Sequence, residues 1–318
     1  MTQKRTTSKS KPHKQRLGKG NTLIKHITNQ EVAAHVVIES PRPVANQTQS
    51  KQVMVPSAHP IEPVSSVNWH CVHEAAVGMS HRKIKPAVPC QDACYASVQP
   101  RLALFVCDGA GSSKVSEIGS NSLVQSLNRL TFSLEGMLAH YLDKPNDGQF
   151  AGQLADLFYR YSVHHALDLA NTHKRSDKDF RSTLLMAIVG KHHAFWLKVG
   201  DGQLVVEEGD LGCRSIGHAD KGEFANQTVF IDGSLSFDSV QFGVLDASKL
   251  TGMALMSDGS AERLVSVDGL KVATRVSVWM DQLRQGKLGA EQLFQFFNEA
   301  EVWQGSTHDD KSIAIAAR

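Results

Sequence analysis

No stretch of the 318 residues approaches the roughly 18 uninterrupted apolar residues that a membrane-crossing helix requires. The N-terminus carries positive charge with no apolar segment behind it, which argues against a secretory signal. Its lack of acids is compatible with an organelle transit peptide, but Lys outnumbers Arg there. Cysteine is sparse and odd in number: Cys71, Cys90, Cys94, Cys107 and Cys213. A chain of this length does not need disulfide staples, so reduced thiols in a cytoplasm are expected. Cys90 and Cys94 are close, but no second Cys/His pair at metal-finger spacing accompanies them, which argues against zinc. Acids are missing altogether before Glu31, where eight Lys/Arg stand: Lys4, Arg5, Lys9, Lys11, Lys14, Arg16, Lys19 and Lys25. The rest of the chain holds 26 basic against 32 acidic residues, so the formal net charge of +2 conceals a basic tail on a mildly acidic body. That balance gives no reason to expect nucleic-acid binding by the folded part.

What is present divides in two. Residues 1–66 are rich in Lys, Ser, Thr, Gln and Pro, with Pro41, Pro43, Pro56, Pro60 and Pro63 punctuating the second half. Such composition buries too little apolar surface to offset the ordering of the chain, so a disordered basic arm and linker is expected. Within it, Glu31 to Ile38 reads as a strand or a binding motif, or simply as solvated tail. Residues 67–318 then read as one ordered domain.

That domain opens on an alternating strand around Asn68 to His73. Cys94 to Val98 and Leu102 to Val106 follow as strands about the turn at Gln99-Pro100-Arg101. Ser116 to Tyr141 carries Ile118, Leu123, Leu127 and Leu130 at helical spacing, and Leu154 to Ala170 forms a second helix. Leu184 to Val189, Ala194 to Val199, Leu204 to Val206, Phe242 to Leu245 and Met253 to Met256 read as strands. Helices return at Lys271 to Gln285 and Ala290 to Ala300, and Ser312 to Ala316 closes the chain as a strand. No internal repeat is visible. The order lacks the strict alternation of a parallel βαβ fold. It predicts an α+β, four-layer α-β-β-α sandwich of two antiparallel sheets flanked by helices.

Four short islands carry the chemistry: Asp108-Gly109-Ala110-Gly111, Gly200-Asp201-Gly202, Asp258-Gly259 and Asp309-Asp310-Lys311-Ser312. One Asp-Gly is an ordinary turn, and Gly209-Asp210 and Asp268-Gly269 are read so. Several at strand ends, from distant parts of the chain, suggest carboxylates converging on cations. Hard oxygen donors favour Mg²⁺ or Mn²⁺. Asp108 is the first choice for a bridging ligand, and Gly109 frees its own carbonyl to turn toward a cation. Asp258-Gly259 repeats the device, and Asp309-Asp310 brings a third acid from the far end. Three acids around two divalent cations leave positions for water, which two metals acidify to a hydroxide suited to in-line attack on phosphorus.

Further short motifs stand in order around these islands: Gly78-Met79-Ser80-His81, Pro89-Cys90-Gln91-Asp92-Ala93, Ser116-Glu117-Ile118-Gly119, Ser182-Thr183-Leu184 and Gly222 to Thr228. Together with the islands, from about Asn68 to Arg318, they resemble the metal-dependent serine/threonine phosphatases of type 2C, in their bacterial branch. The resemblance implies a phosphatase that hydrolyses phosphoserine and phosphothreonine directly, without a phosphoenzyme, using two Mn²⁺ or Mg²⁺ ions. It implies that Asp108 bridges both metals and that Gly109 offers a backbone oxygen to one. Asp258 and Asp309 complete the other's ligands, and Asp92 acts through metal-bound water. A third, weaker metal position has Asp201 as its candidate, with a structural turn as the other reading. Packing is implied for Ser182-Thr183.

Two departures stand out. Ala110 occupies the slot where eukaryotic relatives carry a proton-donating His, leaving water, His81 or His308 to protonate the leaving alkoxide. The phosphate-gripping Arg is missing from Pro86 to Asp92, so Arg82, Lys83 or His81 stands in for it from upstream, or that segment is a solvated loop. Cys107 lacks the Arg-rich loop of a thiol phosphatase. His164-His165 and His192-His193 read as surface decoration, and Trp196 as core. The competing function is a catalytically weak phosphatase-like module that binds phosphoproteins or regulates a partner kinase, favoured by the missing Arg. Crowded carboxylates argue against it, since they are costly unless cations neutralise them. A cognate kinase is a candidate partner that the sequence does not identify, and a monomer is expected.

Overall fold

The computed structural model describes residues 69–218 and 228–318. The basic arm and the Glu31 to Ile38 segment lie outside the described residues, as do residues 222–227 of the Gly222 to Thr228 motif. The chain enters through β1 (His70–Ala76) and a single-turn helix α1 (Met79–Arg82). β2 (Ala93–Ser97) and β3 (Ala103–Cys107) lead to three helices, α2 (Ser116–Ser133), α3 (Glu135–Leu142) and α4 (Ala151–His173). Strands β4 (Leu184–Val189), β5 (His193–Val199), β6 (Gln203–Glu208), β7 (Cys213–Ile216), β8 (Gln241–Asp246) and β9 (Leu250–Met256) follow. Helices α5 (Asp258–Ala261), α6 (Thr274–Arg284) and α7 (Ala290–Phe297) precede the last strand, β10 (Lys311–Ala317).

These strands form two five-stranded antiparallel sheets, ordered β1-β10-β9-β6-β7 and β2-β3-β4-β5-β8. Three apolar layers follow from the period-two alternation of the strands. Leu104, Val106, Leu185 and Ala187 of one sheet meet Leu204, Val206, Leu255 and Ala314 of the other in the central layer. The alternate residues Phe105, Met186, Ile188 and Phe195 pack on Leu123, Leu127, Leu138 and Phe158 of the helices outside the second sheet. On the opposite side Ala254, Met256, Ile313 and Ile315 pack on Val276, Trp279, Met280 and Leu293. The four-layer α-β-β-α sandwich expected from the element order is the architecture observed.

The differences are local. The helix expected over Ser116 to Tyr141 is two, broken at Leu134. Thr131 and Ser133 donate their hydroxyls back to carbonyls of the last turn of α2, which competes with continuing the helix. Glu135 is then drawn onto Arg101, which also bonds Asp143 beyond α3, forming a buried charge network. Strand β7 and the single-turn helices α1 and α5 are too short for periodicity to reveal.

Candidate metal centre

The site lies at one end of the central layer. Central strands β3 and β10 are buried along their whole length, and each joins an acidic segment there: Asp108 follows β3, and Asp309-Asp310 precede β10. The chain crosses from one sheet to the other at the same end, through the Gly200-Asp201-Gly202 turn between β5 and β6. Asp258 starts α5 immediately after β9, and its Oδ1 accepts from the N–H of Gly259 at 2.6 Å.

Asp108, Asp201 and Asp258 each offer a carboxylate oxygen within 4.8 Å of the other two. Asp201 therefore joins Asp108 and Asp258 instead of standing apart in a turn. Its Oδ2 accepts from Thr228 Oγ1 at 2.6 Å, while its buried Oδ1 has no hydrogen-bond partner. Asp92 is 4% exposed and accepts from Ser312 Oγ at 2.8 Å. Burial pushes the Asp92 carboxyl up to about 8, against hydrogen bonds from Ser257 and Ser312, and the charges of Asp310 and Asp258 add to the rise. Asp108 is held well above the ordinary carboxylate range by burial, then by Asp92, Asp258 and Asp201. Asp258 is raised by burial and by Asp201 and Asp309, with Asp108 and the Gly259 N–H opposing. Acids arranged in this way lack their natural counter-charge. A buried, partnerless carboxylate oxygen beside two others is a donor set that fits a hard dication.

Gly109 is needed here for a reason other than backbone freedom. A side chain at this position would meet the Gln91 carbonyl at 2.6 Å, and the Gly109 N–H donates to that oxygen at 3.1 Å. Gly259 is equally confined, against the Asp310 carbonyl. Thr183 Oγ1 accepts from the Asp108 N–H at 2.9 Å, so Thr183 fixes the backbone that carries the acid. That agrees with the packing role expected of Ser182-Thr183.

The residue that sequence reasoning left without a task is Asp310. It is 2% exposed, and its two oxygens accept from the N–H of Gly78 and of Gln91, both at 2.6 Å. His81 Nδ1 stands 3.0 Å from Asp310 Oδ2, and His81, Asp309 and Asp310 form a second cluster of donor atoms within 4.8 Å. Asp310 thus straps two loops to the start of β10; Asp309, whose Oδ1 accepts from the Asp310 N–H, groups with His81 and Asp310 and bears on the Asp108-Asp201-Asp258 set through its charge on Asp258. The clue in sequence was the doublet itself, since one of two adjacent acids at a strand start turns inward.

Arg82 lies on the exposed helix α1, and its Nη2 donates to Asn298 Oδ1 at 2.6 Å, beyond the end of α7. His308 adopts a left-handed backbone, φ 61°, and its carbonyl accepts from the Ser80 N–H and hydroxyl. All five thiols are free. Cys107 is buried, and burial raises its pKa, so it is held as a protonated thiol and not as a nucleophile.

An antiparallel four-layer sandwich with convergent aspartates at one end is the architecture of a metal-dependent phosphatase. Residues 77–298 match the family model described as Protein phosphatase 2C, and the chain belongs to that family of metal-dependent serine/threonine protein phosphatases. It is similar to Serine/threonine-protein phosphatase 3 of Escherichia coli (strain K12), 27% identical over 278 residues, which cover 79% of this chain and 98% of that protein. Its fold is similar to the catalytic domain of serine threonine protein phosphatase PstP in complex with two manganese ions. That match has 13% identity and a TM-score of 0.53, over 78% of this chain and 97% of that one. It is likewise similar to serine/threonine phosphatase Stp1 from Staphylococcus aureus, at 13% identity and TM-score 0.53, over 80% and 96% of the two chains. Among the described residues no helix is long and apolar enough to cross a membrane.

Proposed function

We propose that the protein removes phosphate from phosphoserine and phosphothreonine side chains of cytoplasmic proteins, by direct hydrolysis at the aspartate cluster. The convergence of Asp108, Asp201 and Asp258, with Asp201 Oδ1 buried and partnerless, carries this reading. In it Asp108 would serve both ions, the Gly109 carbonyl would add to one, and Asp258 and Asp309 would complete the protein ligands. Asp201 serves a third, weaker position, and Asp92 orders water from behind. Bound Mn²⁺ or Mg²⁺ supplies charge for the phosphoryl oxygens and acidifies water, making hydroxide available at neutral pH.

The protein's own part is to position and to exclude. Thr183 and Gln91 fix the Asp108-Gly109 backbone, and Asp310 fixes the loops of Gly78 and Gln91 around it. The thiols are buried or half-buried, with pKa values raised by burial where they flank the site, which supports hydrolysis without a covalent phosphoenzyme. His81, turned toward Asp310, is the candidate for moving a proton near the leaving group.

The engagement of Arg82 with Asn298 favours a second reading, a phosphoprotein-binding module with weak turnover. Release of phosphate from a phosphothreonine peptide in Mn²⁺, for the native protein beside Asp108→Asn, separates the two. Mn²⁺-dependent turnover lost in the variant supports the enzyme; absent or metal-independent turnover at high protein concentration leaves the binding module.

A further inference from the structure

Just beyond β3, the chain pairs antiparallel with the segment that leads into β4. Gly109 bridges Ser182, the Ala110 N–H donates to the Arg181 carbonyl at 3.0 Å, and the Thr183 N–H donates to the Asp108 carbonyl at 2.8 Å. That register sets Asp108 opposite Thr183 and Ala110 opposite Arg181. Side-chain alternation then puts all four on one face of the ribbon. It is the face that β3 and β4 turn toward the other sheet, because Leu104, Val106, Leu185 and Ala187 all lie in the central layer. Arg181 therefore stands one step outward from Asp108 on the same face, half-buried at the mouth of the site.

Its guanidinium is held by neutral groups. Nη2 donates to Ser112 Oγ at 3.2 Å, Nε reaches Ser113 Oγ at 3.5 Å, and the cation lies 5.5 Å from the centre of the Phe230 ring. Among the described residues it has no ion-pair partner, although the nearby cluster is rich in acids. Two of its five N–H donors are used, which leaves a charged fork only partly engaged.

We propose that Arg181 grips the phosphoryl group of the substrate, an inference that rests on the phosphatase reading above. A guanidinium matches two oxygens of a phosphate monoester with two parallel hydrogen bonds. The serine hydroxyls and the Phe230 face hold it oriented in advance, which reduces the entropy lost on binding. It also lies directly across from Ala110, where the chain has no polar side chain to offer. Arg82, the upstream candidate for the same task, is engaged with Asn298.

The test uses the full-length protein in Mn²⁺, with p-nitrophenyl phosphate and a phosphothreonine peptide as substrates, and inorganic phosphate as product inhibitor. Arg181→Ala is expected to raise KM for both substrates and weaken phosphate inhibition by about tenfold, roughly the value of one charge-assisted contact. Mn²⁺ affinity by calorimetry should stay within about twofold. Arg181→Lys keeps the charge but loses the fork, so it recovers only part of the effect and serves if the alanine variant does not fold. Unchanged KM and phosphate inhibition in a folded Arg181→Ala protein overturn the proposal. A defect confined to the peptide also overturns it, since Arg181 would then read the polypeptide and not the phosphoryl group. If the native protein shows no turnover, the phosphatase reading fails by itself. Stabilisation of the Mn²⁺-loaded protein by inorganic phosphate then decides Arg181: loss in the variant supports the proposal, and an equal thermal shift sinks it.

Discussion

Asp108 is a half-buried carboxyl whose neighbours include other carboxyls. Burial and the charges of Asp92, Asp258 and Asp201 all favour its neutral form in the protein alone. Bound dications, as proposed above, would reverse that preference, so the residue is expected to matter more to function than to folding. Asp108→Asn should lower Mn²⁺-dependent turnover by at least about a thousandfold, several kcal/mol of barrier at about 1.4 kcal/mol per factor of ten. Its melting temperature without metal should match or exceed that of the native protein. A large loss of stability measured by calorimetry would count against the metal role. Asp310 is the opposite case. Asp310→Ala leaves the buried Gly78 and Gln91 amides without acceptors, at about 1–3 kcal/mol each. Thermal melting of the metal-free variant should show that loss directly.

At the scale of elements, the Arg101-Glu135-Asp143 network joins the turn before β3 to both ends of α3. Arg101 is 3% exposed, so its removal strands two acids near the core. Arg101→Ala is expected to cost about 3 kcal/mol, which at 2–4 °C per kcal/mol for a domain of this size lowers the melting temperature by about 8 °C. A change below about 1 kcal/mol in denaturant titration would mean that the network behaves as a surface pair. The α2–α3 break belongs to the same scale: the hydrophobic spacing ran on to Tyr141, and the hydroxyls of Thr131 and Ser133 were the local signal against it. The partner that draws Glu135 out of line, Arg101, stands thirty-four residues earlier, before β3.

For the whole molecule, stability should depend on pH and metal together. Asp92 rises from an ordinary carboxylate to about 8 on folding, and Asp108 and Asp258 rise with it, each chiefly through burial. The native state thus holds protons that the unfolded chain has released. The Asp92 contribution is fully present below about pH 4, shrinks as pH rises, and is lost through about pH 8, with Asp108 and Asp258 acting in the same direction. Melting in a chelator should fall between pH 5.5 and pH 8. Mn²⁺ at about a hundred times its Kd should restore about 2.7 kcal/mol at the upper pH. A flat chelator profile would refute the carboxylate account. We also propose that residues 1–66 form an arm separable from the 67–318 domain. A protein lacking them should keep its melting temperature and its Mn²⁺-dependent turnover on p-nitrophenyl phosphate.

By itself the sequence determined the strands, through runs and alternations such as Leu102 to Val106 and Ser312 to Ala316, and the positions where acids leave the core. Those are local properties, because side-chain period and turn chemistry are set by neighbouring residues. Only the tertiary structure brought Asp201 beside Asp108 and Asp258, since that depends on where the chain crosses between sheets. It also turned Asp310 into the fold, because the amides of Gly78 and Gln91, more than two hundred residues away, capture its carboxylate. The same long-range pairing engaged Arg82 with Asn298 and set Arg181 across from Ala110. Which charge faces the site is a matter of strand register between distant segments, and spacing along the chain does not encode it.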